Sequence, residues 1–276
     1  MRRDASSPSV REREDLQTTA IDAARLAGEV LLEYARTGFH VEYKNAVNLV
    51  TDADRRAEQV IVDTIHRAYP DHSVLAEERG MEPGRDSPYR WIIDPLDGTT
   101  NFAHGFPLYC VSIGVEYRDR MILGVVLDPT RQELFVAADG QGAMLNGQPI
   151  RVSKSATLET ALLVTGFAYD IRESTHNNLD YFSKFCLCAR GVRRTGTAAL
   201  DLCYVAAGRL DGFWEQALQP WDVAAGALIV QEAGGRVTDL AGGPYSSRAG
   251  NLIASNGHIH EAMVEIVESY FNRKST

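Results

Sequence analysis

The chain has 276 residues, of which 45% are hydrophobic and 24% are charged, and this composition is typical of a globular protein that folds in water. The formal net charge is −9, which argues against nucleic acid as a partner because a phosphate backbone repels an acidic surface. No apolar run approaches the roughly 18 to 20 residues that a membrane-spanning helix needs, so no membrane partner is expected.

The first residues, 1–14, are polar and lack the apolar centre of a secretory signal. We therefore expect a disordered N-terminal extension and a cytoplasmic protein. The four cysteines include no Cys-x-x-Cys pair, so we expect free thiols.

The first half of the chain predicts two helices followed by an antiparallel sheet. Apolar residues recur at helical spacing over 21–34 and over 60–69, where Pro70 ends the pattern, and these helices suit one face of a sheet. Strand-like runs follow at 90–94, 109–117, 121–127 and 133–137, and Asn146-Gly147 is a strong hairpin signal.

After Ser155 the pattern changes to an alternation of strands and helices. This order predicts helices packed on sheet faces, and a soft boundary near 152 divides an N-terminal subdomain (15–152) from a C-terminal one (153–276). The strands are predicted at 162–165, 210–214 and 251–254, and the helices at 177–188, 197–207, 223–232 and 261–271.

The most informative segment runs from Trp91 to Phe102. An apolar run ends there in two aspartates, Asp94 and Asp97, which are followed by Gly98 and two threonines. Pro95 favours a rigid turn, and Gly98 permits backbone conformations that other residues resist. Two carboxylates that converge at such a turn suit a hard cation such as Mg²⁺, which prefers oxygen ligands.

Three further acidic segments accompany this one. Asp54 precedes a helical pattern, Glu77-Glu78 ends a short apolar run, and Asp222 follows Trp221 where another helix begins. Each alone is typical of a helix cap or a solvated surface, but all four together and in this order are highly specific. On these residues the chain resembles the inositol monophosphatase family, over roughly residues 15 to 272.

The resemblance implies a layered αβαβα sandwich of the α+β class, with the active site between its halves. It also implies a lithium-sensitive phosphomonoesterase that hydrolyses myo-inositol monophosphate with two or three Mg²⁺ ions per active site. Carboxylates crowded in one cleft repel each other, and bound cations offset that repulsion and attract phosphate.

The resemblance assigns the metal and water roles residue by residue. Asp94 would bridge the two metals, and Thr99 and Asp54 would orient the attacking water with help from Glu77. The first metal's ligands would be Glu77, Asp94 and the Leu96 carbonyl; the second metal's would be Asp94, Asp97 and Asp222.

The resemblance also places the substrate. Backbone amides of Gly98 and Thr99 would hold the phosphate, and Lys44 would lie over the site. Glu215 would accept hydrogen bonds from ring hydroxyls, whereas Gln216 and Pro220 stand where the animal enzymes carry other residues. The remaining substrate contacts would come from Gly196, Thr197, Ala198 and Asp222.

Two alternatives remain open at this point. The substrate could instead be histidinol phosphate, fructose 1,6-bisphosphate or a nucleotide-derived phosphate, although no clear cluster of basic residues favours a second phosphate. The fold could also serve an additional regulatory role by binding a protein. The family is usually dimeric, so the resemblance implies a homodimer.

Overall fold

The computed structural model describes residues 8–43, 49–174 and 177–274. The helices in these ranges are α1 (Val10–Thr37), α2 (Asp52–Ala68), α3 (Thr99–Ala103), α4 (Leu179–Cys188), α5 (Ala198–Ala206), α6 (Pro220–Glu232) and α7 (His260–Lys274). The strands of the first half are β1 (Val41–Tyr43), β2 (Leu49–Thr51), β3 (Ser73–Ala76), β4 (Gly80–Glu82), β5 (Tyr89–Asp97), β6 (Cys110–Tyr117), β7 (Arg120–Asp128), β8 (Glu133–Ala138), β9 (Ala143–Leu145) and β10 (Gln148–Ile150). Those of the second half are β11 (Leu162–Thr165), β12 (Gly191–Arg193), β13 (Gly212–Glu215), β14 (Arg236–Thr238) and β15 (Leu252–Ser255).

The elements stack in five layers. An eight-stranded sheet has the order β10-β9-β8-β7-β6-β5-β3-β4, and a five-stranded sheet has the order β12-β11-β13-β15-β14. Helices α1 and α2 cover the outer face of the larger sheet, α5 and α6 lie between the sheets, and α4 and α7 cover the smaller sheet. The predicted αβαβα sandwich is therefore confirmed.

The sequence of the central elements reflects their position between covered layers. Strands β5 to β7 consist mostly of buried residues because helices cover both faces of the larger sheet. Helix α6 is apolar on all sides from Val223 to Val230, as expected for a helix between two sheets. It lies so close to β7 that a Cβ at Gly124 would be 2.7 Å from the Ala225 carbonyl oxygen.

The predicted antiparallel pairing is confirmed for β5 to β10, including the hairpin at Asn146-Gly147. Six short strands were not predicted: β1, β2, β12 and β14, and two strands of the larger sheet, β3 and β4. Strand β3 pairs parallel with β5, and β4 pairs antiparallel with β3 at the edge of the sheet. Strand β3 has four residues and β4 has three, which are too few to show the alternation of apolar and polar residues that indicates a strand.

The predicted disordered extension over 1–14 is wrong for residues 10–14, which form the first turns of α1. Ser9 caps the helix by accepting a hydrogen bond from the Glu12 backbone amide, and the Glu12 side chain accepts one from the Ser9 amide. The Tyr89 hydroxyl also donates to Glu12 Oε1 at 2.6 Å. A polar composition therefore hid a capped helix start.

The predicted boundary near 152 falls between Ile150, where the larger sheet ends, and Leu162, where the smaller sheet begins. Helices α5 and α6 belong to the second half but pack on the larger sheet, so the halves share a buried core. The division into two subdomains stays a prediction. Among the described helices, none has both the length and the apolarity required to span a bilayer.

Candidate active site

The turn after β5 brings Asp94 and Asp97 to the same place. The register between β5 and β6 shifts between these two residues, which marks a bulge, and Gly98 then adopts a left-handed φ of 98° before α3 begins. A side chain at Gly98 would be strained in this conformation and would also lie 3.1 Å from the Leu108 carbonyl oxygen. The turn therefore needs glycine.

The acidic segments meet in a cavity of about 440 Å³ between the two sheets. Glu77 enters it from the end of β3, the aspartates from the end of β5, and Asp222 from the first turn of α6. Asp54 lies behind Thr99, and Lys44 lies outside the described residues. The predicted residues that line the cavity are Glu77, Asp94, Leu96, Asp97, Gly98, Thr99, Gly196, Thr197, Ala198, Glu215 and Asp222.

The carboxylates of this cavity raise each other's pKa. Burial raises the pKa of Asp94 well above its usual value, and repulsion from Glu77, Asp97 and Asp222 adds to the effect. Burial and repulsion from Asp97 likewise raise the pKa of Asp222. Such crowding is unfavourable for carboxylates alone and favourable for carboxylates that bind cations.

Each aspartate is held through one of its oxygens. Asp94 Oδ1 accepts from the Leu96 amide at 3.0 Å. Asp97 Oδ2 accepts from Thr197 Oγ1 at 2.6 Å and from the Ala199 amide at 2.7 Å, and burial raises its pKa to about 6 against these bonds. Asp222 Oδ2 accepts from the Gln219 amide at 2.7 Å. Because each carboxylate oxygen has two lone pairs, these bonds orient the aspartates and leave acceptor capacity for a cation.

The donor set fits a hard divalent cation by its chemistry. Carboxylate and carbonyl oxygens are the ligands that Mg²⁺ prefers, and Glu77, Asp94, Asp97, Asp222 and the Leu96 carbonyl supply them in one cavity. As the side chains are oriented, no three His, Cys, Asp or Glu residues in the described ranges are arranged around a single metal position. Binding would therefore require the carboxylates to rotate toward the cation.

Thr99 and Asp54 form a buried pair next to these carboxylates. Thr99 Oγ1 lies 3.2 Å from Asp54 Oδ1 and 3.1 Å from the Leu96 carbonyl oxygen. Asp54 Oδ2 accepts from the amide and the hydroxyl of Thr51 at the start of α2, and burial raises the pKa of Asp54 to about 6. A threonine that donates to a carboxylate keeps its oxygen free to accept a hydrogen bond from water.

Glu215 lies at the end of β13, on the wall of the cavity formed by the second half of the chain. Its carboxylate lies against Gly166, where an added Cβ would be 2.2 Å from Oε1. Burial raises its pKa well above the usual value, with further contributions from Asp201, Asp222 and Asp97. Glu215 lines the cavity, and no donor among the described residues hydrogen bonds its carboxylate.

Thr197 makes a contact that was not predicted: its hydroxyl donates to Asp97 and thereby orients a candidate metal ligand. The two residues are 100 positions apart in the chain, so this contact depends on the packing of α5 against the end of β5. Thr197 also lines the cavity, so its contact with the substrate ring stays a prediction.

Several residues that line the cavity were not predicted from the sequence. Asp201 lies in the first turn of α5, is buried, and accepts from Thr195 Oγ1 at 2.5 Å. Its position in a helix is that of an ordinary surface acid, so no sequence signal identified it. Arg194, Trp221 and Tyr169 also line the cavity. Burial raises the pKa of Tyr169 to about 12, with a contribution from Glu77.

Comparison with known proteins identifies a common family. Residues 12–271 match the profile of the inositol monophosphatase family. The inositol-1-monophosphatase of Synechocystis is 49% identical over 253 residues, which cover 90% of this chain and 88% of that protein. The Nus factor SuhB of Pseudomonas aeruginosa is 46% identical over 259 residues, covering 91% and 95% of the two chains. The solved inositol monophosphatase of Anabaena has a TM-score of 0.85 at 43% identity and covers 93% and 96%.

Proposed function

The chain belongs to the inositol monophosphatase family, and from that premise we propose that it hydrolyses myo-inositol monophosphate to inositol and phosphate with Mg²⁺. The observation that carries this proposal is a single cavity with carboxylates at two positions. Glu77, Asp94, Asp97 and Asp222 line the part next to β5, and Glu215 lines the part next to β13. The first group suits cations and phosphate, and the second suits the hydroxyls of a polyol.

The cation ligands would be Glu77, Asp94, Asp97, Asp222 and the carbonyl of Leu96. When bound, Mg²⁺ supplies positive charge that polarises the phosphoryl group and makes a bound water more acidic. The number of ions, two or three, belongs to the same proposal.

The chain's own groups have distinct tasks in this proposal. Thr99, held by Asp54, accepts a hydrogen bond from the attacking water and orients it toward phosphorus. The backbone amides of Gly98 and Thr99 hold phosphate oxygens at the start of α3. Glu215 accepts hydrogen bonds from hydroxyls of the leaving alcohol and so positions the inositol ring.

A phosphate-release panel tests the substrate. We expect inositol 1-phosphate to give a higher kcat/KM than glycerol 2-phosphate, histidinol phosphate, fructose 1,6-bisphosphate or a nucleoside bisphosphate. Chelation should abolish release and Mg²⁺ should restore it. A clear preference for one of the other phosphates would contradict the inositol assignment, and full activity in chelator would contradict the metal assignment.

Three further properties belong to the proposal. We expect lithium to inhibit turnover by occupying a cation position next to Asp97 and Asp222, and the enzyme to be a homodimer. A cytoplasmic location agrees with the four free cysteines, because reducing compartments keep thiols unpaired.

A role besides hydrolysis is the second candidate function. The relative from Pseudomonas aeruginosa carries the name Nus factor SuhB, which does not refer to a phosphatase activity. A hydrolytically silent variant such as Asp94→Asn, expressed in place of the wild-type chain, separates the two roles. Full rescue of a deletion phenotype would support the second role, and no rescue would attribute the phenotype to hydrolysis.

A further inference from the structure

We propose that Gln216 is a specificity-determining residue that hydrogen bonds a hydroxyl of the substrate's leaving group, an inference that rests on the proposed function of this cavity. Gln216 lines the cavity directly after Glu215. Two buried side-chain polar atoms in the described part of the chain have no hydrogen-bond partner, Gln216 Oε1 and Tyr245 Oη. Of these two residues, only Gln216 lines the cavity that contains the carboxylates.

A buried acceptor without a partner is costly, and native proteins rarely retain one without a reason. In a cavity that binds a ligand, that reason is a donor supplied by the ligand. The adjacent Glu215 carboxylate also receives no hydrogen bond from a described residue, although its oxygens are not fully buried and unpaired in the way that Gln216 Oε1 is. Two adjacent residues that line the same cavity therefore carry acceptors without a described donor, and rotation of the Gln216 amide would turn its oxygen toward the cavity.

The backbone around Gln216 is fixed. Ala217 adopts a left-handed φ of 59°, a conformation that costs energy for a residue with a Cβ. Its amide donates to Asn251 Oδ1 at 3.0 Å, and the amide of Leu218 donates to the Gly250 carbonyl at 2.8 Å. The Gln219 amide is bound to Asp222.

These bonds satisfy three consecutive backbone amides directly after Gln216. The loop is therefore held in place before substrate arrives, and the unsatisfied group in it is the side-chain amide oxygen of Gln216. This arrangement positions the amide for a ligand, because a preformed loop loses little freedom on binding.

The chemistry of the partner follows from the amide group. An amide presents one acceptor and two donors, and a hydroxyl can both donate and accept, so a hydroxyl pairs with either end of the amide. A second phosphate would be repelled by Glu215 next to Gln216. The pair therefore favours a neutral, hydroxyl-rich leaving group over an anionic one.

The test compares wild type with Gln216→Met, which keeps the length of the side chain and removes its polar atoms. We expect kcat/KM for inositol 1-phosphate to fall about 2- to 12-fold, the range of one neutral hydrogen bond. Hydrolysis of p-nitrophenyl phosphate, whose leaving group has no hydroxyl to pair with Gln216, should stay at the wild-type rate. The melting temperature should stay equal or rise, since a buried unpaired acceptor is removed.

Analogues of inositol 1-phosphate that each lack one ring hydroxyl identify the contact. The kcat/KM of wild type should be several-fold lower for one analogue than for inositol 1-phosphate. The kcat/KM of Gln216→Met should show no further decrease for that same analogue. Gln216→Leu provides a second apolar replacement should the methionine variant fold poorly. Gln231→Met makes the same chemical change at an exposed position of α6 outside the cavity and should leave every rate unchanged.

If Gln216→Met lowers kcat/KM equally for inositol 1-phosphate and p-nitrophenyl phosphate, or lowers it for neither, the assignment of Gln216 is overturned. A wild-type enzyme that prefers a different phosphate would instead overturn the proposed function. The role of Gln216 is then decided by comparing that preferred substrate with p-nitrophenyl phosphate.

Discussion

The hydroxyl of Thr197 donates a hydrogen bond to Asp97 Oδ2 at 2.6 Å and thereby joins the start of α5 to the end of β5. The Ala199 amide donates to the same oxygen at 2.7 Å. The second half of the chain thus orients a carboxylate at the end of a strand of the larger sheet. Groups that orient a metal ligand in this way usually affect metal affinity, even though they do not touch the metal.

Replacement of Thr197 by valine should therefore weaken Mg²⁺ activation. The change removes the hydroxyl and keeps the size of the side chain, so Asp97 loses one donor and gains rotational freedom. We expect the Mg²⁺ concentration for half-maximal activity to rise about 10-fold or more, the usual effect of such a contact. The measurement is a Mg²⁺ titration of activity at saturating substrate.

The conservative variant Thr197→Ser keeps the hydroxyl and should retain most of the Mg²⁺ affinity. If Thr197→Val leaves the Mg²⁺ titration unchanged and raises only the KM for inositol 1-phosphate, Thr197 contacts the ring, as the family resemblance implies.

Thr99 should govern turnover more than binding. Its oxygen is held between Asp54 and the Leu96 carbonyl, where it can orient a water molecule. Thr99→Ala should lower kcat by about 10²-fold or more and change KM much less, because in the proposed mechanism the lost contact would assist proton transfer. Steady-state kinetics on inositol 1-phosphate measure both constants.

Thr99→Ser is the matched control, since it preserves the hydroxyl and should retain substantial turnover. An unchanged kcat together with a large increase in KM for Thr99→Ala would assign this residue to substrate binding instead.

Asp54 should make the metal-free protein less stable as pH rises. Its pKa is about 6 in the folded state and about 3.9 in an unfolded chain. The folded state therefore binds more protons between these values, and the free energy of unfolding falls as pH rises from about 4 to about 6. Asp54→Asn removes this dependence. The free energy of unfolding of the variant, relative to that of wild type, should therefore rise by about 2 kcal/mol between pH 4 and pH 7.

The comparison between variant and wild type is essential because other groups titrate in the same range. Burial lowers the pKa of His260 to about 4, which makes the folded state more stable as pH rises and opposes the effect of Asp54. Urea unfolding of both proteins in chelator at several pH values isolates the contribution of Asp54. A constant difference in stability across this range would show that Asp54 has the same pKa in both states.

The sequence predicted the site best where the chemistry is local. Asp94 and Asp97 form one motif with Gly98, and the turn that brings them together is encoded by neighbouring residues. Family resemblance then supplied the distant members, Glu77 and Asp222, which share the cavity in the structure.

Features that depend on tertiary packing could not be predicted in the same way. Asp201 has the sequence context of an exposed helix start, yet α5 is buried between two sheets and turns this residue toward the cavity. The start of α1 is different, because Ser9 and Glu12 form a capping box that is readable from the sequence and was overlooked in a polar segment. Strand β3 was missed because its four residues are too few to establish a period and its pairing with β4 and β5 depends on the fold.

Asp94 should couple metal binding to stability. Its carboxylate is buried and is repelled by three other carboxylates, so its charge is unfavourable in the metal-free protein. Asp94→Asn should therefore melt at a higher temperature than wild type in chelator and yet be nearly inactive. Saturating Mg²⁺ should raise the melting temperature of wild type much more than that of the variant.

Thermal melting with and without Mg²⁺, at neutral pH, measures both effects. NaCl at the same ionic strength controls for the general effect of salt, and Ca²⁺ at the same concentration tests the effect of cation size, because it takes the same oxygen ligands. Equal stabilisation of wild type and Asp94→Asn by Mg²⁺ would remove Asp94 from the set of metal ligands.

Glu215 should determine the choice of the leaving group. It lines the cavity at the end of β13, and its carboxylate lies against Gly166, on a different wall from Asp94. Loss of a hydrogen bond from a hydroxyl to a charged acceptor costs about 1.5 to 3 kcal/mol, or roughly 10- to 150-fold in kcat/KM. Glu215→Ala should show this loss on inositol 1-phosphate and a much smaller loss on glycerol 2-phosphate. The kcat/KM of Glu215→Gln, which keeps a neutral acceptor, should fall between those of Glu215→Ala and wild type.

Equal losses of kcat/KM on both substrates would assign Glu215 to the metal site or to the fold, and no loss on either would place ring recognition elsewhere in the cavity.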